Sequence, residues 1–212
     1  LLLGLLVCLP WAVHSNNNSA NSATNVDITP FRHRITTLES KYGALDHRLA
    51  EKFLSLGLAY RVNGELYQAI SALRQALHIS RINKGLHHLM HVPIVDLILD
   101  SHTKLSDWAA VERQHRYRYW IHRREVDKNS DDFIDAAIEF AAWETQAYDL
   151  DTGVPAFRQL RDAQAALVTV EETISAKNGT ADPRIIRVLN LKAMANLNLA
   201  THVINTEVDP VT

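Results

Sequence analysis

The sequence has 212 residues, a formal net charge of −2 and 47% hydrophobic residues. That is enough chain to bury a sizeable core, as one domain or one short repeat array. The near-neutral charge argues against a dedicated nucleic-acid binder, while leaving room for a local basic patch. Strand-type alternation is hard to find. Apolar positions at helical spacing fill the chain from about residue 34 onward, so the expected class is all-α.

The first 26 residues contain no Asp, Glu, Lys or Arg. Leu1 to Val13 is an apolar run, shorter than the ~20 residues that span a bilayer. It reads as the core of a secretory signal peptide, with a plausible cleavage point at Val13-His14-Ser15. Its initiator Met and basic leader are missing, so the sequence is expected to start inside the signal. Residues 1–15 are therefore assigned to the signal, 16–30 to a flexible Asn- and Ser-rich linker, 31–205 to a helical domain and 206–212 to a tail. Cys8, the only cysteine, would leave with the signal, so the mature chain would have no disulfide and no Cys-based site. No stable membrane insertion is expected once the signal is gone.

A first helical pattern begins near Arg34 and pauses at Gly43. The second runs from Asp46 to about Val62 and stops at Asn63-Gly64, residues that tolerate the left-handed conformation of a helix cap. The third spans about Glu65 to Arg81. Two longer helices are expected over Leu86–Thr103, with Pro93 as a possible kink, and over Ser106–Asp127. Asp131 opens a helix to about Tyr148, and Val154 one to about Lys177. Asp182 as N-cap, with Pro183 at the first helical position, opens the last, which runs to about Asn205. Short turns make neighbouring helices antiparallel.

Within Leu49–Arg81, Phe53, Leu56, Gly57 and Tyr60 lie on one helix, Gly64 at the turn, and Ala69, Leu73 and Ala76 on the next. These positions and their sizes resemble the tetratricopeptide repeat (TPR), whose 34-residue unit is a pair of helices. Gly57 and Ala69 would let the helix backbones approach, Tyr60 and Leu73 would fill the space between this pair and the next, and Ala76 would admit the following repeat. The usual final Pro is replaced by Arg81. Asp107-Trp108-Ala109-Ala110 looks like the start of a second repeat's B helix, and Ala163 or Ala166 marks a third. Ala137, Ala141 and Ala142 supply small residues on the A helix between them. The resemblance implies antiparallel hairpins stacked as a right-handed α-solenoid, a partner protein or peptide held on the concave face of the A helices, and no cofactor or catalysis. Arg61, Asn63, His87 and His91, near Tyr60, are the residues expected to line that face. Long helices of this kind resemble exported TPR proteins of Gram-negative envelopes, a resemblance that implies a periplasmic or cell-envelope location.

Two clusters carry other readings. His87, His88 and His91 form an HHxxH pattern. On one helix His87 and His91 would share a face at metal-ligand spacing, but His88 stands where a metalloprotease has its Glu base. A metal-binding or metal-dependent hydrolytic protein is the alternative function. Arg113 to Lys128 is basic and aromatic. Either Trp108, Val111, Trp120 and Ile121 pack inward with the arginines solvating the outside, or the segment binds an acidic peptide or a lipid headgroup.

Overall fold

The computed structural model describes residues 25–178 and 181–208. The expected signal, Cys8 and most of the linker lie outside the described residues. Eight α-helices follow one another: α1 (Thr29–Tyr42), α2 (His47–Val62), α3 (Leu66–Lys84), α4 (Val92–Lys104), α5 (Trp108–Glu125), α6 (Asp131–Gln146), α7 (Ala156–Asn178) and α8 (Arg184–Val208). No strand occurs among the described residues.

Local chemistry sets the boundaries. The Asp46 carboxylate accepts from the Arg48 amide, Asp107 from Ala110 and Ser130 from Phe133, each satisfying an amide that has no partner inside its helix. α1 starts earlier than the apolar pattern suggests. Pro30 occupies its first turn, where a missing N–H costs nothing, so Thr29 and Pro30 are helical rather than linker. Pro93 does the same for α4, so it starts a helix instead of kinking one. α8 runs to Val208, past the expected end at Asn205.

Each helix packs mainly on its neighbours in sequence, and α6 also packs on α8. The pairs α2–α3, α4–α5 and α6–α7 form antiparallel hairpins, flanked by α1 and α8. Gly57 sets the first hairpin's spacing. A Cβ there would lie 2.7 Å from Cγ of Leu73, so α2 and α3 approach as closely as they do only because Gly57 has no side chain. Leu73 and Ala76 enter the core shared with α4, as the repeat pattern requires. Tyr60 departs from it. Its ring packs in the core formed with α1, and Arg32 of α1 donates to its hydroxyl at 2.8 Å. It thus fills space before the pair, not after it.

The first two hairpin turns repeat one hydrogen-bond pattern. In Asn63-Gly64-Glu65 the Glu65 amide reaches back to the Tyr60 carbonyl, and in Leu105-Ser106-Asp107 the Asp107 amide reaches the His102 carbonyl. The central residue has positive φ in both, 76° at Gly64 and 53° at Ser106. Ser106 is the one non-glycine residue in that region among the described residues.

The apolar core falls into three parts. One joins α1, α2 and α3 around Leu49, Leu56 and Ile79; a second joins α3, α4 and α5 around Leu73, Ile98 and Ile121. The third joins α6, α7 and α8 around Phe133, Leu167 and Val188. Each fully buried Leu or Ile stabilises by ~1.5–3 kcal/mol through burial.

Candidate partner-binding groove

The joint between the second and third hairpins is ionic. On α5, Glu112 and Arg116 pair one helical turn apart. Arg116 also reaches Glu144 of α6 at 2.7 Å and Asp162 of α7 at 2.7 Å. The Trp143 indole donates to Glu112 at 2.5 Å, and His115 stacks on the Trp143 ring at 4.6 Å. Two turns of α5 are thus tied to α6 by charge rather than by aliphatic packing. Burial, and next the neighbouring Glu112 carboxylate, push the Glu144 carboxyl up to about 9, so it holds a proton at neutral pH. Burial, and next the Arg118 guanidinium, push the His115 imidazole down to about 4. Farther along α5, Arg118 bridges Asp96 of α4 and Glu139 of α6.

Outside this joint a groove opens between α5 and α7, with a volume of about 310 Å³. Its walls are two stripes with the same helical spacing. Arg116, Tyr119, Trp120 and Arg123 line α5, while Arg158, Asp162, Ala165, Ala166 and Thr169 line α7. Phe133 and Phe140 of α6 form the floor, and Lys128 of the α5–α6 turn closes one end. The floor is held by stacking, since the Tyr119 and Phe140 rings lie parallel at 4.5 Å. Ala165 and Ala166 keep the α7 wall low.

The charges of the groove are unequally engaged. Arg116 is engaged by Glu112, Glu144 and Asp162, and Arg158 lies 3.9 Å from Asp162. Arg123 and Lys128 are exposed, and no carboxylate pairs with either among the described residues. Free positive charge therefore collects at one end, beside Trp120, which is 54% exposed. The inward packing expected for Trp120 is not found, because the α5 face that reaches the core carries Val111 and Ile121.

The residues expected on a concave face are occupied inside the fold. Arg61 donates to the Leu97 carbonyl and pairs with Asp100 at 2.5 Å, linking α2 to α4. Asn63 exchanges hydrogen bonds with the Val26 backbone. His87, His88 and His91 do not share a helix. Gly85 ends α3 with a positive φ, and the chain then turns into a short 3₁₀ segment at Leu89–His91. His88 caps that segment. His91 is fully buried at 3.1 Å from the Tyr117 hydroxyl, and burial lowers its pKa. That hydroxyl accepts from Arg81 and donates to the Leu86 carbonyl, so its single proton is used and the His91 Nδ1–H must point at it. His87 does not line the groove but stacks on one of its residues, Trp120, at 6.1 Å. No group of three or more potential metal-ligating side chains occurs among the described residues.

A second hollow, of about 550 Å³, lies between α3 and the α4–α5 turn. It contains Ser71, His102 and Asp107, yet His102 Nε2 faces Arg74 at 3.2 Å and its Nδ1 faces Asp107 at 3.0 Å. The imidazole therefore does not serve Ser71 as a base.

The described chain has a TPR-like fold. It is similar to a crystal structure of nearly identical TPR-like repeats from a protein of Podospora anserina designated a kinesin light chain, with a TM-score of 0.58 and 13% identity. The likeness covers 85% of this chain and 81% of that one. At that identity it speaks to the fold alone. No protein-family model matches the sequence, and no curated protein matches it. Among the described residues no helix is long and apolar enough to cross a membrane.

Proposed function

We propose that this chain is an exported scaffold that holds a protein partner and performs no chemistry of its own. The observation that carries this reading is the groove between α5 and α7, an open basic and aromatic surface on a stack of TPR-like hairpins. Such stacks present extended surfaces built from successive repeats, which suit polypeptide partners. The groove lies on the B-helix side, whereas Arg61 of the A helix α2 and Asn63 at its C-terminal cap are spent within the stack. Buried, internally bonded histidines favour scaffolding over hydrolysis.

Cross-linking in the native host, followed by purification of the tagged full-length protein, tests the partner. One or a few reproducible proteins are expected; their absence relative to a tag-only control counts against the scaffold. Export to the cell envelope is supported by the charge-free, apolar residues 1–13. A phosphatase that is active only outside the cytoplasm, fused after the last residue of the full reading frame, should be active. An inactive but intact fusion would remove the envelope assignment and leave the scaffold standing.

A further inference from the structure

The groove also specifies the chemistry of its occupant. We infer that the α5–α7 groove takes an acidic segment of a partner polypeptide, with an apolar side chain next to its carboxylates. The inference rests on the scaffold reading and deepens it.

Three observations lead there. First, the free charge is positive and local. Arg123 and Lys128 have no carboxylate partner among the described residues and stand at one end of the groove, in a chain whose net charge is −2. Such cations attract an anion without having to give up an internal bond. Second, the rest of the groove does not suit a continuous phosphate backbone. Asp162 lies in its wall, and Arg116 is already shared among Glu112, Glu144 and Asp162. A polyanion laid along the groove would meet Asp162, whereas one or two carboxylates at the Arg123–Lys128 end would not. Third, between these poles Tyr119 and Ala165 present accessible apolar surface, over a floor in which Phe133, Phe140 and Ala166 are buried. Trp120 is half-exposed at the cationic end, its ring backed by His87. That arrangement receives an apolar side chain beside a carboxylate.

The test uses the full chain and a fluorescein-labelled peptide of repeated Glu-Glu-Leu, followed by anisotropy at low salt. Matched peptides of Gln-Gln-Leu and Lys-Lys-Leu, single-stranded oligothymidylate and phosphatidylglycerol vesicles form the other arms. Saturable binding of the Glu peptide is expected, weakening as salt screens the charges. The double variant Arg123→Ala/Lys128→Ala should weaken it about tenfold, while Arg187→Ala on α8 leaves it unchanged. Circular dichroism and Tm show whether the variants are folded. Arg123→Glu/Lys128→Glu should move the preference to the Lys peptide, an outcome that misfolding cannot produce.

Equal binding of the Gln peptide, tighter binding of oligothymidylate or vesicles, or no loss in the folded double variant overturns the inference. So does absence of saturable binding to the wild-type chain. A partner cross-linked equally well by wild type and by Arg123→Ala/Lys128→Ala would retain the scaffold and remove only this groove.

Discussion

Arg116 meets Glu144 at 2.7 Å in the joint between the second and third hairpins, and both side chains lie where an aliphatic contact would be expected in a repeat stack. Glu144 is fully buried and Glu112 nearly so. Removing the guanidinium would leave the buried Glu112 carboxylate without its cation and the Glu144 carboxyl without its donor, and an uncompensated buried charge is costly. Arg116→Ala should lose about 3 kcal/mol or more in urea unfolding. Arg116→Lys should recover only part of that, because a single ammonium cannot present several fixed N–H groups to Glu112, Glu144 and Asp162 at once.

The same cluster gives stability a pH dependence of definite sign. Glu144 has a folded pKa of about 9, above its unfolded value, so the folded state binds more protons than the unfolded state between roughly 4.5 and 9. Its contribution is fully present below the unfolded pKa and is lost as pH rises toward 9. His115 runs the other way: with a folded pKa of about 4, its contribution grows as pH rises from about 4 to about 6.5. The two slopes oppose each other in mildly acidic solution. Above about pH 7 only Glu144 remains, and stability should fall by up to ~1.4 kcal/mol per pH unit. Chemical unfolding between pH 7 and 9 should show this decline in the wild type and a flat profile in Glu144→Gln.

Gly57 tests the close approach of α2 and α3. In an isolated helix Gly57→Ala would help by about 1 kcal/mol. Here the new methyl would meet Leu73 at under 3 Å, so a net loss of about 1–3 kcal/mol is expected. In the Leu73→Ala background the clash partner is gone. A double-mutant cycle should therefore return a favourable coupling between the two alanines; strict additivity would show that Leu73 does not set the spacing.

Ser106 adopts the positive φ that Gly64 adopts in the preceding hairpin. A residue with a Cβ is strained there by about 1 kcal/mol. Ser106→Gly should raise stability by up to that amount, measured as a higher urea midpoint at unchanged slope. Gly64→Ser should lower it by a similar amount.

The repeat fold was legible because its strongest signals are local. Gly57, Gly64 and Ala69 mark where backbones approach or reverse, and apolar spacing marks the helices between. Boundaries set by a single capping group were less visible: Pro30 and Pro93 start helices that the apolar pattern places elsewhere. The histidine cluster looked like one helical face because apolar spacing continues back from α4 to Leu86, whereas the chain forms a loop and a 3₁₀ turn there and α4 starts only at Val92, with Pro93 in its first turn. The groove was half legible. The basic and aromatic run of α5 is plain in the sequence, but which of its cations remain free depends on acids in other hairpins, namely Glu144 and Asp162. One signal was available: Glu144 interrupts the small, apolar stretch Ala141-Ala142-Trp143, and a charge at such a position calls for a partner.

α5 contributes Ile121 to the core it shares with α3 and α4, and Tyr119 to the core of α6, α7 and α8. With the apolar interior divided in this way, the stack need not open as one unit. Where neighbours are coupled by charge, alkali weakens the seam while leaving the greasy blocks on either side intact. Amide exchange should then resolve two cooperative blocks, α1 to α4 and α6 to α8, that separate in protection as the solution becomes basic, with α5 following whichever block retains it.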